Sequence, residues 1–190
     1  MMEALLSSTL AVAIAEIGDK TQLLALLLVG RYGRPVTICA GILLATVVNH
    51  ALSAWLGQWL GQWIAPNLLP WLIGLSFLAV AVWTLIPDKE DDNPGRFASL
   101  GAFGATCVLF FLAELGDKTQ VATVVLAAHY ASATLMVIIG TTLGMLLANV
   151  PVVFAGRWLL TKIPMTWVHR LAFVLFLGFA LASFWQGWHD

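Results

Sequence analysis

Apolar runs alternate with short polar breaks along the whole chain, and the runs have the length of membrane spans. A helix that crosses a bilayer needs about 20 mostly apolar residues. Six stretches meet this: residues 4–29, 36–60, 68–86, 97–128, 133–160 and 166–188. The breaks between them hold helix-stopping residues, as in Gly30-Arg31-Tyr32-Gly33-Arg34-Pro35, Ala65-Pro66-Asn67 and Lys162-Ile163-Pro164. The pattern predicts an all-α polytopic membrane protein with six transmembrane helices.

Composition sharpens this. Of 190 residues, 61% are hydrophobic and 10% charged, with a mean hydropathy of +0.92. A soluble domain carries about 25% charged residues. The net charge of −1 gives nucleic acid no reason to bind. Near the N-terminus, Ala13-Ile14-Ala15 resembles a signal cleavage site, but Glu3 stands where a basic region is needed. The expectation is a retained first helix. Cys39 and Cys107 lie in apolar runs and read as small core residues without a disulfide.

Two apolar stretches carry charges in their middle. Ala15-Glu16-Ile17-Gly18-Asp19-Lys20-Thr21-Gln22 is nearly repeated 98 residues later as Ala113-Glu114-Leu115-Gly116-Asp117-Lys118-Thr119-Gln120. Tyr32 matches Tyr130 at the same spacing. Gly41 and Gly140, Gly57 and Gly156, and Phe77-Leu78 and Phe176-Leu177 match at 99. The chain thus reads as one membrane domain, 1–190, with repeat one at 1–87 and repeat two at 97–190. The acidic linker 88–96 between them reads as a solvated loop. Three spans per repeat, an odd number, make the second repeat enter the membrane in the opposite direction. Inverted repeats of this kind are common among secondary transporters with a midplane site.

Charge placement gives an orientation. Outside the motifs, Arg31, Arg34, Lys89, Arg96, Arg157, Lys162 and Arg170 all fall in or beside the first, third and fifth breaks. The excess of Lys and Arg on cytoplasmic loops then puts both termini on the non-cytoplasmic side. Trp59, Trp63, Trp71, Trp185 and Trp188 belong to the outer interface on this reading, and Trp83, Trp158 and Trp167 to the inner one.

Ionisable groups within a span pair with one another or face a wet cavity, and are functional-site candidates by default. On a continuous helix Glu16, Asp19 and Lys20 share one face, as do Glu114, Asp117 and Lys118. Each lysine would then partner the glutamate four residues before it. Gln22 and Gln120 flank that face, whereas Thr21 and Thr119 point elsewhere unless the helix unwinds at Gly18 or Gly116. If the two motif faces meet, four carboxylates and two ammoniums leave a formal charge of −2, which one divalent cation neutralises. Oxygen donors without Cys or His suit hard ions such as Mg²⁺, Ca²⁺ and Mn²⁺. A single Glu–Lys pair is explained by helix packing alone; two copies at matched depth, each with an added aspartate, are not. Asn49, His50 and Asn149 read first as interhelical hydrogen-bond partners and second as ligands. The glycines at 41, 140, 144 and 156 read as helix-packing positions.

The doubled E-x-G-D-K-T motif, on the first and fourth of six helices, resembles that of the Golgi manganese/calcium transporter family. That family is also classed as the Ca²⁺:H⁺ antiporter-2 family and includes bacterial manganese exporters of the MneA type. The resemblance covers essentially the whole chain, and its short length looks like the bacterial branch. It implies Glu16, Asp19, Glu114 and Asp117 as cation-binding acids, with Lys20, Thr21, Lys118 and Thr119 completing the motifs. The expected function is export of divalent cations, Mn²⁺ first and Ca²⁺ second, in exchange for protons across a bacterial inner membrane. No cofactor is expected, since the metal is the transported substrate. Partners are the metal ion, protons and the lipid bilayer, with a homo-oligomer left open. Other classes are a channel or uniporter, an amino-acid exporter, and an intramembrane enzyme. The chain lacks G-x-S-x-G and H-E-x-x-H, against the last.

Overall fold

The computed structural model describes residues 1–86, 97–156 and 165–189. The described residues form eight α-helices and no strand: α1 (Met2–Glu16), α2 (Lys20–Tyr32), α3 (Pro35–Trp63), α4 (Leu69–Thr84), α5 (Gly101–Glu114), α6 (Lys118–His129), α7 (Thr134–Ala155) and α8 (Met165–His189). The limits of the predicted stretches fall within a few residues of these helix ends, except that the predicted end of the fifth stretch, at 160, lies outside the described residues. The acidic linker, Arg157, Trp158 and Lys162 lie outside the described residues.

The first and fourth stretches differ from expectation, because each is broken into two helices at its motif. Sequence spacing cannot reveal this alone, since the apolar run continues through the break. Ile17 and Leu115 end their helices with the same backbone, φ −65° and ψ 118°. Gly18 and Gly116 then take φ of 82° and 75°. That left-handed region costs an L-residue about 1–2 kcal/mol, and glycine enters it freely. Asp19 and Asp117 restart the chain as extended N-caps of α2 and α6.

The surface is inside-out relative to a soluble protein. On α3, Leu43, Leu44, Val47, Val48 and Leu52 are exposed, while Thr46, Asn49, His50 and Ser53 are buried. Such a face loses less by contacting lipid than water. Three helices are long and apolar enough to span a membrane, at Pro35–Trp63, Ala131–Ala155 and Thr166–His189, and α4 and α5 are shorter apolar helices. This is an all-α integral membrane protein.

Packing is exchanged between the ends of the chain. Both α1 and α2 pack on α7, while α5 and α6 pack on α3; α3 and α7 also pack on each other, as do α4 and α8. Small residues permit these approaches. A Cβ at Gly140 would lie 2.6 Å from the Leu5 carbonyl, and one at Gly144 2.7 Å from that of Thr9. Gly41 meets the Thr106 side chain, and Gly57 meets the Val124 carbonyl even more closely. Gly156 is a correction to the packing expectation: among the described residues nothing lies within 4 Å of its would-be Cβ, and its φ of 67° marks it as the end of α7. Phe77 of α4 and its sequence match Phe176 of α8 stack on each other, with centroids 6.2 Å apart. Cys39 and Cys107 are free thiols.

Candidate cation site

Breaking the two helices brings four helix ends together in the interior: the C-termini of α1 and α5 and the N-termini of α2 and α6. The N-terminal ends favour anions and the C-terminal carbonyls favour cations. Discontinuous helices use these same ends to hold ions within membranes. Glu16, Asp19, Glu114 and Asp117 sit at these ends and all are buried.

Three of them converge. One carboxylate oxygen each from Glu16, Asp19 and Asp117 lies within 4.8 Å of the others. Glu114 is equally buried but does not join this cluster. Glu16 Oε1 and Glu114 Oε1 have no hydrogen-bond partner among the described residues. Burying a carboxylate oxygen without a partner is costly, so both oxygens are suited to meeting a proton or a cation.

The lysines do not pair as a continuous helix predicts. Lys118 Nζ lies 2.7 Å from Asp19 Oδ1, and Lys20 Nζ lies 3.2 Å from Asp117 Oδ1. Each motif's ammonium therefore meets the other motif's aspartate. The physical reason is the break, which turns each lysine out of register with the glutamate of its own motif. The pairs differ in exposure: the Lys118 side chain is 3% exposed and that of Lys20 23%.

Unwinding also decides the threonines. Residues five apart are about 140° apart around a regular helix, so Thr21 and Glu16 would diverge. Instead Thr21 Oγ1 donates to Glu16 Oε2 at 2.8 Å, and Thr119 Oγ1 donates to Glu114 Oε2 at 2.9 Å. Asp117 Oδ2 also accepts from the Thr119 backbone N–H at 3.4 Å, capping α6.

Gln22 and Gln120 have a role that residue spacing did not disclose. Gln22 Oε1 accepts from the Gly18 N–H at 2.8 Å, and Gln120 Oε1 accepts from the Gly116 N–H at 2.6 Å. Each side chain thus satisfies a donor freed by its own break. The amide's other end reaches across: Gln22 Nε2 donates to the Ala148 carbonyl at 2.8 Å, and Gln120 Nε2 to Asn49 Oδ1 at 3.0 Å. Ala148 and Asn49 are 99 residues apart, the spacing of the matched glycines. The signal for this brace was present in the glutamine four residues after each motif glycine.

Asn49 therefore acts as an interhelical acceptor, shared with Ser53 Oγ at 3.3 Å. Asn149 turns its Nδ2 to the Met145 carbonyl of its own helix at 3.1 Å. His50 is buried and joins neither the carboxylate cluster nor a hydrogen bond among the described residues.

Comparison with known proteins adds an independent line. The chain is 51% identical, over 96% of its length and 91% of the relative's, to a Vibrio cholerae protein named "Putative manganese exporter". It is 30% identical to GDT1-like protein 3 of Oryza sativa over 97% of this chain and 74% of the relative. A GDT1-like protein of Synechocystis is 27% identical over 97% of this chain and 98% of its own. No solved structure matches the chain. The family model described as "Divalent cation/proton antiporter GDT1" matches twice, over residues 4–92 and again over 102–190. With both motifs inside the matched segments, the chain belongs to the GDT1 family of divalent cation/proton antiporters, and it is a cation transporter rather than an enzyme.

Proposed function

We propose that this protein exports divalent cations, Mn²⁺ foremost, in exchange for protons, through a midplane site shared by its two motifs. The observation that carries this reading is the buried cluster of Glu16, Asp19 and Asp117, drawn from both motifs, with oxygens within 4.8 Å of one another. Oxygen-only donors favour Mn²⁺, Mg²⁺ or Ca²⁺ over Zn²⁺ or Cu⁺. Glu114 completes the set of four acids, Thr21 and Thr119 orient the two glutamates, and the lysines and glutamines set the charge and shape of the breaks. The relative's name, a manganese exporter in V. cholerae, supports Mn²⁺ and the outward direction.

The architecture belongs to the same proposal. Residues 1–87 and 97–190 are inverted repeats of three spans each, joined by the linker 88–96, with both termini outside the cytoplasm of a bacterial inner membrane. The equal backbone at the two breaks and the stacking of Phe77 on Phe176 support a twofold relation between the repeats.

The test is ⁵⁴Mn²⁺ uptake into inverted membrane vesicles, with Ca²⁺ and Mg²⁺ as competitors. Wild type accumulates Mn²⁺, and Glu16→Gln and Glu114→Gln, which insert normally, do not. Near-normal uptake by Glu16→Gln would remove the shared site. Stronger competition by Ca²⁺ than by unlabelled Mn²⁺ would change the substrate.

A further inference from the structure

The two lysine–aspartate pairs are chemically alike, yet they stand in different states. Lys118 and Asp19 are 2.7 Å apart and sealed, with side-chain exposures of 3% and 0%. Lys20 and Asp117 are 3.2 Å apart, and the Lys20 side chain is 23% exposed. The surrounding backbone follows the same division. Leu115 and Gly116, at the break beside Asp117, are exposed, whereas Ile17 and Gly18 at the other break are half-buried. The acids divide likewise, since Glu16 joins the cluster and Glu114 does not. The Lys118–Asp19 pair is thus the more closed and the Lys20–Asp117 pair the less closed, with both aspartate side chains buried at 0% and 2% exposure.

An ammonium beside a carboxylate occupies the space and the charge that a bound cation needs. A metal ion reaches Asp19 only if Lys118 leaves, and reaches Asp117 only if Lys20 leaves. The Lys20 side chain is the more exposed of the two, and a lysine within the membrane that is not sealed is tolerated where it faces a wet crevice, which places water access to the site on the Lys20–Asp117 side. We infer that Lys20 and Lys118 are tethered competitors of the transported cation and form two alternating gates, each lysine closing the half of the site that holds the other motif's aspartate. In this conformation the Lys118–Asp19 gate is shut and the Lys20–Asp117 gate is the one through which an ion enters. Exchanging the conformations of the two repeats shuts Lys20 on Asp117, brings Glu114 into the cluster and opens Asp19 to the opposite side. The inference rests on the shared-site reading above and adds to it the gating role of the lysines.

The experiment measures Mn²⁺ affinity on purified protein and Mn²⁺ turnover in proteoliposomes for wild type, Lys118→Gln, Lys20→Gln, Lys118→Arg and Lys20→Arg. Removing a competing charge a few ångströms from the ion tightens Mn²⁺ binding about tenfold or more. It also slows turnover, because the ammonium that takes the carboxylate back when the ion leaves is gone. Arginine grips a carboxylate at two points, so the Arg variants bind Mn²⁺ more weakly than wild type. A purely structural ion pair predicts the opposite order, with Arg restoring affinity and Gln weakening it, and that result overturns the inference. If a Gln variant fails to fold, the Arg variant still decides, since affinity equal to or tighter than wild type overturns the proposal. A second measurement tests the alternation. In a Cys39→Ser, Cys107→Ser background, Lys20→Cys and Lys118→Cys should react with an impermeant thiol reagent from opposite sides of the membrane; reaction of both from one side overturns it. If wild type binds no Mn²⁺, the shared-site reading itself falls; if wild type binds and the lysine variants do not shift affinity as stated, only the gate falls.

Discussion

Lys118 and Asp19 come from different motifs and meet at 2.7 Å in a setting where both side chains are nearly inaccessible. With Lys20 and Asp117 the contact recurs in reverse. The two broken helices are therefore tied to each other by charge at the point where both lose their backbone hydrogen bonds. Breaking a buried pair by removing one partner costs about 3–5 kcal/mol, because the other charge is left uncompensated.

That cost gives an ordering. Asp19→Asn removes the carboxylate paired with the buried Lys118, so the ion-free protein should lose about 3 kcal/mol or more. Asp117→Asn removes the carboxylate paired with Lys20, whose side chain is partly exposed, so its loss should be smaller. Thermal unfolding in detergent without divalent cations measures both, and equal or inverted losses would contradict the difference in burial.

The threonines follow from the unwound backbone. Thr21→Ala removes a hydroxyl that donates to Glu16 at 2.8 Å in a buried site. A hydrogen bond to a charged group is worth about 1.5–3 kcal/mol, so Mn²⁺ affinity should fall about tenfold or more as Glu16 loses its fixed orientation. Thr119→Ala should act alike on Glu114. Thr21→Ser keeps the donor and should remain close to wild type in the same binding assay. An Ala variant as good as the Ser variant would show the hydroxyl to be idle.

The apolar runs made the helices legible, because lipid burial leaves about 20 consecutive residues little choice of character. The charges in residues 16–20 and 114–118 stand out from those runs for the same reason. What the residue pattern left open was the backbone at Gly18 and Gly116, where a permissive residue allows unwinding without requiring it. The differences within the two motifs' own contacts follow from that one choice. The lysines cross to the other motif, the threonines swing to the glutamates, and the glutamines cap the breaks. Gly156 differs for another reason: packing and a left-handed helix end both select glycine, and only coordinates separate them.

The glutamine braces are unequal in a testable way. Gln22 donates to a backbone carbonyl, at Ala148, which no side-chain change removes. Gln120 donates to the Asn49 side chain, so that link can be cut from either end. Gln120→Ala and Asn49→Ala should each destabilise the fold by about 1–3 kcal/mol, and the double variant should cost less than their sum. Gln22 bonds the Gly18 N–H and the Ala148 carbonyl rather than Asn49, so additivity between Gln22→Ala and Asn49→Ala is the control. Strict additivity for Gln120 with Asn49 would mean that their 3.0 Å contact contributes nothing.

Proton coupling is the prediction with the widest reach. The chain has no G-x-x-x-x-G-K-[ST] phosphate loop, and export against a gradient needs a source of energy. Four carboxylates and two ammoniums give the proposed site a formal charge of −2. One Mn²⁺ brings it to zero, and so do two protons. A site that is neutral in both loaded states avoids carrying net charge through the bilayer, which is costly. The expected exchange is thus two protons for one Mn²⁺, with no net charge moved. In inverted vesicles the lumen corresponds to the outer side. An acidic lumen protonates the carboxylates, releases Mn²⁺ inward to the lumen and drives further uptake. Adding Mn²⁺ to vesicles with a preset acidic lumen should therefore alkalinise it, and a proton ionophore that collapses the gradient should slow Mn²⁺ accumulation. At a fixed pH gradient, an imposed membrane potential should leave the extent of uptake unchanged. Dependence on that potential would rule out the two-for-one exchange, and indifference to both the pH gradient and the ionophore would rule out protons as the coupling ion.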